Sequence, residues 1–101
     1  MIKNTRLWEA VRALATAEND VRQRVALACQ ILEKMHKSEL PKNLWDRLEA
    51  VKNEAGAKGK LVVNGIVVKD RYDNSIIFRH NKTYSNLAKE ILSLYEEFNN
   101  N

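Results

Sequence analysis

Among 101 residues there are one cysteine, one proline and three glycines, and each scarcity removes a class of protein. A lone thiol, Cys29, closes no disulfide within the chain, so the fold has to be held by its core. Its neighbours Ala26, Leu27, Ala28 and Ile31 suit a small buried thiol in a reducing compartment. One proline and no serine-rich stretch leave no linker, and no segment repeats, so a single domain over residues 1–101 is expected. Gly56, Gly59 and Gly65 lack the spacing of a phosphate-binding loop. Apolar runs such as Leu61 to Val63 and Ile66 to Val68 fall far short of the roughly 20 residues that cross a bilayer as a helix. Residues Met1 to Arg6 lead into a charged amphipathic segment rather than a signal-peptide core. A cytoplasmic protein with no membrane contact is therefore expected, and the sequon Asn81-Lys82-Thr83 is then without consequence.

Side chains for catalysis and metal binding are as scarce. Cys29 and His36 stand seven apart, about 10 Å along a helix at roughly 1.5 Å per residue, too far for a nucleophile and its base. His80 lies between Arg79 and Lys82, company that suits an anion-binding surface. One cysteine and two distant histidines form no zinc-ligand spacing. Asp70 and Asp73, with Asn74, lack the glycine and terminal glutamate of a calcium loop and read as turn residues. The expectation is a protein that is not an enzyme, with no cofactor, no metal and no small-molecule substrate.

What the chain has is amphipathic periodicity. Its hydrophobic content is 45% and its charged content 30%, enough for one modest core. From Thr5 to about Ala17, Leu7, Trp8, Val11, Leu14 and Ala15 recur with the helical period. Asn19 or Asp20 then caps a second helix to about Lys37, in which Val21, Val25, Ala28, Leu32 and Met35 form a stripe widened by Leu27 and Ile31. That breadth makes it the central helix. Pro41 opens a third helix carrying Leu44, Trp45, Leu48, Val51 and Ala55, which stops at Gly56 as a left-handed cap. Between Lys60 and His80 β-branched runs replace the helical pattern, with Asn64-Gly65 marking a hairpin turn. A three-strand meander including Ile76 to Phe78 comes first; its rival is one hairpin with Asn64-Gly65 as a bulge and Asp70 to Asn74 as the turn. A last helix from about Thr83 or Ser85 to Phe98 and one of the first three helices would cover this sheet on its two faces. The fold class is thus α+β and mostly helical: a helical part over about 4–56, a β-element over about 60–80 and a closing helix over about 83–98.

Charge is distributed unevenly. Between Lys52 and Lys89 eight basic residues (Lys52, Lys58, Lys60, Lys69, Arg71, Arg79, Lys82 and Lys89) face three acids (Glu54, Asp70 and Asp73), in a chain whose net charge is +4. Lys58, Lys60, Lys69, Arg71, Arg79, His80 and Lys82 therefore form a candidate surface for an anion or an acidic partner. The expected function is that of a small protein-interaction module, an adaptor, regulator or inhibitor of a bacterium or mobile element. Its partner would be another protein or a second copy, because the second and last helices carry more apolar surface than so short a chain readily covers. The alternative is nucleic-acid binding. In element order the chain resembles a winged helix-turn-helix, which implies Lys42, Asn43, Arg47 and Lys52 of the third helix at the bases or phosphates and the β-element as the wing. Asp46, Glu49 and Glu54 on that helix would repel phosphate.

Overall fold

A computed structural model describes residues 5–16, 20–78 and 80–100. Helix α1 spans Thr5–Thr16 and α2 spans Val21–Leu32. The break before α2 is made by Asp20, whose carboxylate accepts the N–H groups of Arg22 and Gln23 at 3.0 and 3.2 Å, donors that the first turn of a helix leaves unpaired. Leu7, Ala10 and Leu14 of α1 are buried, whereas Trp8 lies at the flank, 42% exposed, beneath the Arg12 guanidinium at 5.4 Å. The second helix ends at Leu32, five residues short of the expected Lys37. A turn follows in which Met35 donates its N–H to Leu32 at 3.0 Å and still reaches the core. His36 thus stands beyond the helix in extended backbone, opening a short 3-10 turn over Lys37–Glu39.

Helix α3 spans Lys42–Ala55, with Pro41 as its capping residue. It buries Leu44, Leu48, Val51, Lys52 and Ala55. Gly56 ends it with φ at −106°, so the expected left-handed cap does not form. The glycine is needed for space: a Cβ at Gly56 would stand 2.6 Å from Cδ of Arg71 and 2.7 Å from its Cγ.

Strands β1 (Leu61–Val63) and β2 (Ile66–Lys69) pair antiparallel, Val63 with Ile66 and Val62 with Val67. Asn64 and Gly65 take φ of 52° and 78°, the two positive angles of a type I′ turn. Beyond Val67 the register slips so that Leu61 faces Lys69, which makes Val68 the extra residue of a bulge. The β-element is a two-stranded antiparallel hairpin, as one of the two expected arrangements had it, but with Asn64-Gly65 as its turn and not a bulge; the three-strand meander does not form among the described residues. Asp70 caps a short helix α4, Arg71–Ser75, by accepting the N–H of Asp73 at 2.9 Å. Ile76–Phe78, read as a strand from its β-branched residues, continues as a 3-10 turn, because the helical phase begun at Asp70 carries the chain out of the sheet. Helix α5 spans Asn81–Asn99, starting two residues before Thr83.

The core is a helical assembly. Helix α2 is central as expected, packing against α1, α3, α4 and α5, while α3 also packs on α5. Leu32, Leu48, Tyr84, Ile91 and Leu94 are among its fully buried side chains. The apolar stripes of the helices cover one another for the most part, with Leu27 of α2 and Leu92 of α5 left 39% exposed, and neither stripe packs on the hairpin. The expected sheet held between two helices is not formed: every residue of both strands is exposed.

Candidate docking surface

The hairpin is an arm whose base is held by a partly buried ionic cluster, in which Lys52 and Tyr72 are buried and Glu33 is 45% exposed. Tyr72, 2% exposed, donates its hydroxyl hydrogen to Glu33 Oε1 at 2.6 Å and accepts from Arg71 Nη2 at 2.7 Å. Arg71 reaches the same Glu33 oxygen at 2.8 Å and Asn53 Oδ1 at 3.4 Å. Lys52 is 3% exposed, with its ammonium 3.4 Å from Glu33, 3.3 Å from Glu49 and 5.1 Å from the Trp45 ring centroid. Burial would raise the Glu33 pKa, but hydrogen bonds from Tyr72 and Arg71 and the charges of Lys52 and Arg71 outweigh it and hold the carboxyl below its ordinary value. The cluster ties the end of α2 to α3 and α4. Two contacts then anchor the loop leading into β1: the Ser75 hydroxyl accepts the Lys58 N–H at 3.0 Å, and Asn74 Nδ2 donates to the Gly59 carbonyl at 2.9 Å.

Beyond that anchor the arm is apolar and bare. Leu61, Val62, Val63, Ile66, Val67 and Val68 are between 38% and 68% exposed. Partners across the hairpin share a face, so Val63 and Ile66 lie on one side and Val62 and Val67 on the other. Both faces are therefore apolar and both are open to water. A two-stranded ribbon with apolar side chains on both faces is marginal alone. Its exposed area is on the order of 500 Å², the upper range of the largest apolar patch on a typical monomer and frequently functional. Its lysines lie at the base: Lys60 precedes β1 and Lys69 ends β2, and neither forms an ion pair among the described residues.

The residues singled out for charge do not form one surface. Arg47 turns toward α5, reaching Glu90 at 3.0 Å, Glu97 at 3.1 Å and Ser93 at 3.2 Å. Lys52 is inside the core instead of on the groove-facing side of α3, and Arg71 is spent on Glu33 and Tyr72. Lys42 pairs with Asp46 at 2.8 Å. Asn43, Lys58, Lys60, Lys69, His80 and Lys82 are exposed, and Arg79 lies outside the described residues. Counting basic residues along the chain missed the pairings of Arg47 with Glu90 and Glu97 and of Lys52 and Arg71 with Glu33, because those acids stand 19 to 50 positions away. The apolar arm was legible as strands, but its exposure had no signal in the sequence.

Cys29 is fully buried, and desolvation pushes its pKa up to about 12, the setting of an inert thiol. The native protein is expected to resist DTNB at pH 8 and to react only as fast as it unfolds. Rapid labelling without denaturant would contradict that burial. His36 and His80 are both exposed, and no group of three metal-ligating side chains occurs among the described residues. No helix among the described residues is long and apolar enough to cross a membrane. Comparisons with protein-family models, with curated proteins and with solved structures each found no match.

Proposed function

We propose that the protein is a non-enzymatic interaction module that docks on another polypeptide through the β1–β2 arm. One observation carries the reading: two short strands bear apolar residues on both faces, and every one of them is exposed. Apolar side chains facing water are unfavourable by about 25 cal/mol per Å², so covering the arm is a driving force for association. A polypeptide meets its other need, because an added strand satisfies the unpaired N–H and C=O groups of the sheet edge. Nucleic acid satisfies neither apolar face. The basic residues that its recognition would require at α3 are largely neutralised, Arg47 by Glu90 and Glu97 and Lys52 by Glu33 and Glu49. The lone reduced thiol suits the cytoplasm, where we propose that this docking takes place.

A photo-crosslinking residue at Val67, compared with one at exposed Glu39 in the 3-10 turn, tests the reading in cells of the native host. Val67 is expected to give a discrete polypeptide adduct that Glu39 does not give and that Ile66→Lys abolishes. Adducts to nucleic acid alone, or equal labelling from both positions, would overturn it.

A further inference from the structure

The phase of the hairpin decides which backbone groups face outward. In a two-residue loop the flanking pair, Val63 and Ile66, exchanges both of its hydrogen bonds, so the next pair, Val62 and Val67, is of the non-hydrogen-bonded kind. The N–H and C=O of Val62 accordingly point away from β2, along the outer edge of β1. The two edges differ. Strand β2 carries the bulge at Val68 and packs against α4, and a bulge is a device that blunts an edge. Strand β1 is regular.

We propose that the polypeptide bound by the arm is a second copy of this chain, joined β1 to β1 in antiparallel fashion about a two-fold axis at Val62. The proposal rests on the docking reading above and specifies its partner. Pairing about Val62 sets the outward N–H and C=O of each copy against those of the other, the hydrogen-bonded geometry that an antiparallel ladder requires. It places Leu61 opposite Val63 and Lys60 opposite Asn64. No lysine then faces a lysine, although each chain carries a net charge of +4, because the basic bases of the two arms lie at opposite ends of the joint. The product is a four-stranded sheet with strand order β2, β1, β1, β2, above the three strands at which a small sheet becomes stable. Edge pairing brings Val62 against Val62 and Leu61 against Val63 and covers only part of the roughly 1,000 Å² that the two arms expose together, below the size of a standard interface, so the dissociation constant is expected to be micromolar or weaker.

Sedimentation equilibrium from about 5 to 500 µM, with far-ultraviolet circular dichroism to establish folding, tests the joint. Wild type is expected to pass from monomer to dimer across this range. Val62→Lys and Val62→Glu each set like charges opposite each other at the axis, so each alone is expected to weaken the dimer about fivefold. An equimolar mixture of the two should restore association, because unlike charges then meet. Val62→Pro, which removes an N–H that the hairpin itself does not use, should give a folded monomer. A wild type that stays monomeric at the highest concentration, a dimer indifferent to both charged variants, or a mixture that fails to associate would each overturn the proposal. The Val67 adduct separates the two failures. A mass of twice this chain supports the self-pairing, a different polypeptide overturns the self-pairing but leaves the docking reading standing, and the absence of any adduct ends both.

Discussion

Tyr72→Ala is expected to destabilise the protein by about 3–5 kcal/mol, the range for removing a large buried aromatic side chain. Tyr72 is among the largest fully buried side chains, and it anchors a helix of only five residues. Its loss removes packing and also two hydrogen bonds, to Glu33 at 2.6 Å and from Arg71 at 2.7 Å. Tyr72→Phe separates these contributions: it keeps most of the volume and should cost about 1–2 kcal/mol for the lost hydroxyl partners. Burial, reinforced by the bond to Glu33, pushes the phenol pKa above its ordinary value of 10.0, so the native hydroxyl stays protonated and donating through neutral pH. Urea unfolding followed by tryptophan fluorescence reads both variants. Hydrogen exchange over 61–69 should quicken in Tyr72→Ala, because α4 is the element against which β2 packs. A loss under about 1 kcal/mol for the alanine variant would contradict the anchoring role.

Glu33→Ala is expected to cost about 1–3 kcal/mol, less than the 3–5 of a fully buried pair, because Glu33 is 45% exposed and Glu49 remains beside Lys52. The loss arises mainly from Lys52, whose buried ammonium keeps a single carboxylate. Lys52→Met in the Glu33→Ala background should therefore recover much of the stability, since replacing both charges of a buried pair by apolar groups is close to neutral. The pH dependence follows from the same contacts. The Glu33 carboxyl is held below its ordinary 4.5 in the folded protein. Its contribution is therefore complete above that value and is lost as pH falls through the lower folded pKa. Wild type should lose stability from about pH 5 downward more steeply than Glu33→Gln, measured by urea midpoints at each pH. Parallel curves for the two proteins would show that Glu33 is not the group responsible.

Much of the secondary structure was legible because its signals are local. The helical period placed Leu7, Leu14, Val25, Leu32, Leu48 and Ile91 in the core, where they are buried. Asp20 caps α2, and Asn64-Gly65 forms the turn that two positive φ angles require. Ile76-Ile77-Phe78 misled because β-branched composition describes a preference that an adjoining helix overrides. Asp70 starts that helix by accepting the Asp73 N–H, and Tyr72 holds it by burial. Gly56 misled similarly: a glycine after a helix suggests a left-handed cap, yet the demand came from Arg71, fifteen residues away, whose side chain occupies the space of a Cβ.

The candidate surface was legible only in part. The sequence marked 61–68 as apolar strands and 52–89 as basic, and charge was the feature that suggested a binding role. Tertiary structure reversed their weight. Arg47, Lys52 and Arg71 each meet acids far along the chain, which removes them from a continuous basic face and leaves the apolar arm as the candidate.

By itself the sequence determined the mostly helical α+β class, the order of the principal elements, the hairpin turn and the isolation of Cys29. These depend on residue spacing, caps and backbone angles within a few positions. Only the tertiary structure decided that the helices would use their apolar stripes on one another, that the third β-branched run would leave the sheet, and that the hairpin would stand uncovered. The physical reason is one of range. Burial and charge pairing are settled by which surfaces meet when the chain closes, and residues 19 to 50 positions apart carry no local mark of that meeting.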